Sequence, residues 1–469
     1  MGGPRETIAR GARAVTVVAL GSLLVSGSAL WPMFRNGPAR TGENREEHTI
    51  NTGNVIRLHQ TWTDTTNDQV TSPVISGHTS FVASSGTLFA FDTRGKTGCS
   101  GSPKTCAPLW TGATGGANES YVAVVRGQVL VSTTRQVVAF DARGKTGCSG
   151  SPTTCQPRWI GAAACEPGAL FCVLSAPVIA NGLAYVGVTS PNATTCCLAS
   201  VQAFDVRGIT GCSGVPRSCT PVRTYVMDCG LGFSCEASPP AIANGVLYVA
   251  SLKDYDDFGE RGSLFAFDAT GHTGCAGSPA TCTPMWTGEN TLGMRGSPAV
   301  SNGVVYVTDS SFPDPDAESP SGSIRACDAA GIAGCTGTPK LCDPLWTVSL
   351  GPVYASPAVA RGNVYVSALN GDLQVFDAAT GAKRWTGITG HRTVMAPTVA
   401  DNVVYVVSNS SLFTFDTDGA KSCSGSPKTC ASLRTVPSGP EWTVGHEVAV
   451  DKGTVYVGGS DALRVFRLR

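Results

Sequence analysis

Short apolar runs, each broken by a small polar turn, restart on a steady beat along this chain. The clearest copies begin at Pro73, Pro177, Pro240, Pro298, Pro357 and Pro397, and two weaker ones at Tyr121 and Glu447, at intervals of about 40 to 64 residues. Within a copy, two runs rich in Val, Ile and Tyr flank a turn such as Asn181-Gly182, Asn244-Gly245, Asn302-Gly303 or Arg361-Gly362. Asn-Gly supplies the positive φ that a two-residue hairpin turn demands at both central positions. The runs therefore predict antiparallel strands. A third run ends in Phe91-Asp92, Phe140-Asp141, Phe204-Asp205, Phe267-Asp268, Cys327-Asp328, Phe376-Asp377 or Phe415-Asp416. A fourth carries Trp110, Trp159, Trp286, Trp346 or Trp385, and almost no window keeps a helical period.

Four antiparallel strands repeated eight times predict an all-β fold, an eight-bladed β-propeller in which each blade buries one face against the next. The last copy stops after its third strand, at Leu463 to Phe466. An unassigned strand from Val55 to Asp64, with Trp62 at the repeat-equivalent position, precedes the first copy. It is expected to complete the last blade and so protect the final pair of edges. The Asp that closes each third run recurs in nearly every copy, so it cannot mark one active site. It reads as a cap on the following turn.

Composition narrows the partners. With 34 basic and 34 acidic residues the formal net charge is zero, and no basic cluster interleaves with aromatics, which argues against a nucleic-acid surface. The first 29 residues stand apart: Arg5, Arg10 and Arg13 precede an apolar run from Ala14 to Val25 and then Ser-Gly-Ser-Ala. This is the layout of a secretory signal peptide cleaved after Ala29, with residues 30–469 as the mature propeller. The one membrane association this allows is an uncleaved signal anchor, and the expected location is secreted or in the cell envelope.

In an exported chain, 19 cysteines are read first as disulfides. Twelve share one spacing: Cys99/Cys106, Cys148/Cys155, Cys212/Cys219, Cys275/Cys282, Cys335/Cys342 and Cys423/Cys430. From Asp377 to Trp385 is 8 positions, whereas from Asp92 to Trp110 is 18, so the cysteines belong to a ten-residue insert that the sixth copy lacks. A local bridge around such a ring stabilises by about 2–3 kcal/mol in the chain-entropy model. No His recurs with the pairs, and two thiolates do not complete a zinc site. Cys327 replaces a core Phe and reads as a buried free thiol. Cys165, Cys172, Cys196, Cys197, Cys229 and Cys235 fall on loops of one face, where a lattice across loops is the expectation and a vicinal Cys196–Cys197 bridge the alternative.

The segment Trp31-Pro32-Met33-Phe34-Arg35-Asn36-Gly37-Pro38-Ala39-Arg40-Thr41-Gly42, the stretch from Asn54-Val55 to Trp62, and the Tyr-Val, Phe-Asp, Gly, Trp repeat resemble bacterial proteins with pyrroloquinoline-quinone-like propeller repeats. The likeness covers about 31 to 469. It implies the propeller fold and leaves the activity open among quinoprotein alcohol dehydrogenases, outer-membrane assembly factors and other exported propellers. The enzymes of that superfamily need calcium, a carboxylate base and an aromatic floor beside the quinone, and no catalytic Asp can be matched residue by residue.

Two acidic loops offer hard oxygen ligands. Asp254, Asp256 and Asp257 lie in one, Asp314 and Asp316 in the other, and both follow second strands of neighbouring copies, where they form a calcium candidate. His446-Glu447, before the first strand of the eighth copy, and Trp442 are placed near the axis. No Gly-x-Ser-x-Gly elbow or phosphate-cradling loop is present. The sequence therefore predicts a disulfide-stabilised, non-catalytic binding or scaffolding module with no cofactor, its ligand a protein, a small molecule or a carbohydrate, on the loops of the third to fifth copies. The alternative is a dehydrogenase dependent on pyrroloquinoline quinone and calcium.

Overall fold

Strand pairing follows the repeat. The computed structural model describes residues 31–116, 121–165, 169, 171–190, 198–229, 234–254, 261–288, 291–311, 321–439 and 447–469. Among these the strands fall into eight sheets, one per copy in chain order. The fifth is the simplest: Ala299–Ser301, Val304–Ser310, Gly322–Asp328 and Trp346–Leu350, each antiparallel to its neighbour. The first strand of each sheet adjoins the first strand of the next, and that of the eighth, Val448–Asp451, adjoins that of the first, Val74–Ser76. Leu58–Asp64 pairs antiparallel with Leu463–Leu468. The strand is shorter than the sequence suggests, because Val55–Arg57 form a 3-10 turn before it. No helix among the described residues is long and apolar enough to cross a membrane.

Three recurring side chains order the turns and join one sheet to the next: the first acts within its own unit, the other two between units. The Asp that ends the third strand caps the turn that follows: the Asp268 carboxylate accepts from the backbone N–H groups of Thr270, His272 and Thr273 at 2.8, 3.0 and 2.7 Å. Asp92, Asp141, Asp205, Asp328, Asp377 and Asp416 cap their turns in the same way. Such caps satisfy amides that no ladder reaches. The strand-two Tyr reaches across an interface: Tyr185, Tyr248 and Tyr306 donate to the carbonyls of Ala269, Ala329 and Ala378 at 3.1, 2.8 and 3.0 Å, each in the following sheet. The strand-four Trp packs on the glycine of the next sheet's capped turn. At Gly95, φ is +63° and an added Cβ would lie 2.6 Å from Trp62 Cδ1, so glycine is required on both counts.

The cysteine inserts do more than order a loop. Cys99–Cys106, Cys148–Cys155, Cys212–Cys219, Cys275–Cys282, Cys335–Cys342 and Cys423–Cys430 are bridged. Each bridge closes a two-stranded hairpin, and the hairpin lies parallel against the fourth strand of the preceding sheet. Six outer edges are thereby covered by the following unit. The sixth copy has no insert, so the fifth sheet ends on Trp346–Leu350. The seventh ends on Arg434–Pro437. Cys327 is a free, buried thiol that burial pushes up to about 12.

Candidate functional site

The residues before the first sheet run along the line where the eight first strands meet. Backbone carbonyls of Trp31, Pro32, Pro38, Ala39, Thr41 and Gly42 accept from Ile75, Val124, Ile242, Val300, Val359 and Val399 at 2.7–2.9 Å. These donors belong to the first, second, fourth, fifth, sixth and seventh sheets in turn. Asn44 Nδ2 then donates to Val450 O of the eighth at 2.7 Å, and Arg40 reaches the third. The path is sharply bent, with positive φ at Arg35, Asn36, Arg40 and Gly42.

Two buried arginines complete this hub. Arg40 donates from Nε to Pro240 O at 3.0 Å, from Nη2 to Ala176 O at 3.0 Å and from Nη1 to Phe34 O, with its guanidinium carbon 5.1 Å from the Phe34 ring centroid. Arg35 donates to Pro397 O at 2.8 Å and Pro357 O at 2.5 Å, and its Nη1 lies 3.5 Å from Glu447 Oε1. The carbonyls just before the first strands have no ladder partner on the axial side. Buried acceptors need donors, and a guanidinium carries five in a fixed fork. The third, fourth, sixth and seventh sheets are thus held at the axis by two side chains.

The charge balance there is two cations against one carboxylate. Burial lowers Arg35 and brings Arg40 to about 9, which leaves it protonated at neutral pH. Burial likewise raises Glu447, against the opposing pull of Arg35 and Arg40. Glu447 is 4% exposed, and its Oε2 has no hydrogen-bond partner among the described residues.

Above this floor opens a cavity of about 570 Å³. Phe34 and Glu447 of the hub line it together with Tyr121, Phe171, Leu252, Met294, Tyr354 and Met395. The Arg295 guanidinium lies 5.7 Å from the Tyr354 ring centroid, and Glu236 lines the same cavity. The serines that line it beneath the rim are committed to the scaffold: Ser175 Oγ accepts from Gly187 N at 2.8 Å, Ser238 Oγ from Ala250 N at 3.0 Å and Ser356 Oγ from Ser297 N at 2.9 Å. Phe171, Met294, Tyr354 and Met395 come from sheet-to-sheet connections, whereas Tyr121 opens a first strand and Leu252 lies in a second strand.

Not every expected residue comes to this funnel. Asp254 ends the second strand of the fourth sheet, Val246–Asp254. Asp256, Asp257, Asp314, Asp316, Cys196, Cys197, Trp442 and His446 lie outside the described residues. The expected lattice across loops is corrected: Cys165–Cys172 and Cys229–Cys235 each close their own connection. The reason is reach. Cys172 and Cys235 are buried beside the strands that follow, and their partners lie only 7 and 6 positions earlier on the same connection. Arg35 and Arg40 were missed as functional residues, since nothing in a Pro-Ala-Arg or Phe-Arg-Asn stretch points to main-chain carbonyls far away. Glu447 carried only the weak signal of its neighbour His446.

Quinone chemistry of the resembling enzymes requires a calcium site of several oxygens. Among the described residues no three His, Cys, Asp or Glu side chains come together in this way. The described carboxylates of the funnel are Glu236 and Glu447, and Glu447 is engaged by Arg35. These residues do not make that site, and no catalytic step is derived through a quinone.

A family model described as outer membrane protein assembly factor BamB matches residues 343–462. The computationally designed Ika8 protein superposes with a TM-score of 0.56 at 13% identity, over 87% of this chain and 99% of that one. BamB from Moraxella catarrhalis gives 0.54 at 14% identity, over 88% and 98%. Quinohemoprotein alcohol dehydrogenase from Comamonas testosteroni gives 0.47 at 13%, over 93% and 80%. No curated protein matches the sequence. At these identities the likeness to the first two speaks for the fold, an all-β arrangement of repeated sheets.

Proposed function

We propose that this chain, a protein of PQQ-like β-propeller repeats, is a non-catalytic binding module that works outside the cytoplasm and takes its ligand into the axial funnel. In this reading residues 1–29 are a signal peptide. Residues 30–469 form an eight-bladed propeller whose last blade is completed by Leu58–Asp64. The circular adjacency of the first strands and the pairing of that strand with Leu463–Leu468 support closure. Eight disulfides among the described residues support an oxidising compartment.

The observation that carries the reading is the base of the funnel. The chain's own segment runs through the axis, and beside the cavity a buried carboxylate oxygen of Glu447 lacks a donor among the described residues. A buried acceptor left unmet costs about 1–3 kcal/mol, and a ligand hydroxyl relieves it. The rings of Phe34, Tyr121, Phe171 and Tyr354 offer flat apolar surface beside that acceptor. Together they suit a small polyhydroxylated molecule of carbohydrate kind.

The test is a titration of the purified chain with mono- and oligosaccharides, followed by intrinsic fluorescence and calorimetry. A binder is expected to lose at least tenfold in affinity in Glu447→Gln, whose fold is checked by circular dichroism. A binder indifferent to that substitution and to Tyr354→Ala overturns the funnel. A bound chromophore and dye-linked alcohol oxidation on adding pyrroloquinoline quinone with Ca²⁺ would make the chain a dehydrogenase instead.

A further inference from the structure

The six hairpins show what the outer edge of a sheet in this molecule receives. In each case a short strand from the next unit adds parallel to the fourth strand. The register repeats. The residue after the strand-four Trp turns its N–H outward: Thr63 donates to Lys104 O at 3.1 Å, Thr111 to Thr153 O at 3.0 Å and Thr386 to Lys428 O at 3.0 Å. The fifth sheet keeps the same Trp-Thr pair, Trp346-Thr347, but the sixth copy supplies no hairpin.

Two further observations mark that edge as one that has no cover among the described residues. Trp62, Trp110, Trp159, Trp286 and Trp385 are 1–4% exposed, whereas Trp346 is only half-buried, and Leu345 beside it is 47% exposed. The edge is also not blunted. Trp346-Thr347-Val348-Ser349-Leu350 holds no Pro and no charge, the usual protections of an open edge. The other uncovered edge, Arg434–Pro437, has both.

We propose that Trp346–Leu350 is a strand-addition site for an extended polypeptide segment of a partner protein, bound parallel in the register of the missing hairpin. A main-chain edge with alternating donors and acceptors selects polypeptide, and six precedents within the chain select the orientation. A rigid second copy offers, among the described residues, only its own fifth and seventh edges. The inference stands apart from the funnel and survives its failure.

The probe is a synthetic peptide of residues 420–432, oxidised between its two cysteines, the hairpin that covers the sixth sheet. On the full-length chain it is expected to slow hydrogen exchange of the Thr347 and Ser349 amides at least tenfold. Ser349→Pro should weaken it at least tenfold, because the edge loses an outward donor. A chain with the ten-residue insert grafted between Gly381 and Trp385 should bind none, with its Trp346 buried in cis. The proposal is overturned if those amides are already protected in the free monomer, or if the grafted chain binds the probe as well as the native one. It is equally overturned if sedimentation shows the edge occupied by a second copy.

Discussion

Gly95→Ala tests whether the two chain ends form one seam. At Gly95 and at Gly77 the backbone has nearly the same left-handed φ, +63° and +61°. Alanine in that conformation costs about 1–2 kcal/mol at either place. The surroundings differ. At Gly77 an added Cβ meets nothing within 4 Å, whereas at Gly95 it meets Trp62 Cδ1 at 2.6 Å and Nε1 at 2.9 Å. Trp62 is 2% exposed and lies against Phe91, so it has no room to step aside. Overpacking of this kind costs about 1–3 kcal/mol more. Gly77→Ala should therefore lose about 1–2 kcal/mol and Gly95→Ala about 2–5 kcal/mol. The assay is guanidinium denaturation at pH 7 with disulfides intact, comparing midpoints at unchanged slope. Hydrogen exchange should also quicken in Leu58–Asp64 for Gly95→Ala alone. Equal losses in the two variants, or no change in exchange along that strand, would refute the packing of Trp62 into the first sheet's turn and the closure it supports.

Other substitutions probe other parts. Arg40→Met strands the carbonyls of Phe34, Ala176 and Pro240 in the interior and should cost about 3–5 kcal/mol, read by thermal or denaturant unfolding. Arg40→Lys should restore only part of this, since an ammonium cannot span the same carbonyls. Asp64 is raised to about 6 by burial, above its ordinary 3.8, so the folded state holds its proton more tightly and stability falls as pH rises from about 4 through 6. Asp64→Asn should match the parent below pH 4 and exceed it above pH 6, by up to about 3 kcal/mol for a two-unit shift. Tyr248→Phe removes the hydroxyl that donates to Ala329 O between the fourth and fifth sheets and should cost about 1–2 kcal/mol in the same assay.

The parts of the fold that were legible are those written in side chains of a fixed spacing. Phe-Asp announced a third strand and its cap because the carboxylate serves amides only two to five positions away. Cys-x6-Cys announced a closed hairpin for the same local reason. The pairing of Cys165 with Cys172 is legible too, since their spacing equals that of the inserts, whereas a shared face alone points to pairing across loops. What stayed hidden is carried by the main chain. The hairpins pair with the preceding sheet through N–H and C=O groups that every residue has. Arg35 and Arg40 find carbonyls up to 362 positions away, and a carbonyl acceptor leaves no trace in the identity of its residue.

The hub sets the order in which this chain can mature. Its N-terminal stretch emerges first from the ribosome, yet Arg35 needs carbonyls at 357 and 397, and Leu58–Asp64 needs a strand that ends at Leu468. During vectorial synthesis, these residues must wait without their partners until the later strands arrive. The Arg35 guanidinium is drawn out of water only then, as the keystone of the finished molecule. A chain truncated late in translation thus leaves Arg35 and Leu58–Asp64, as well as its last residues, exposed to proteases.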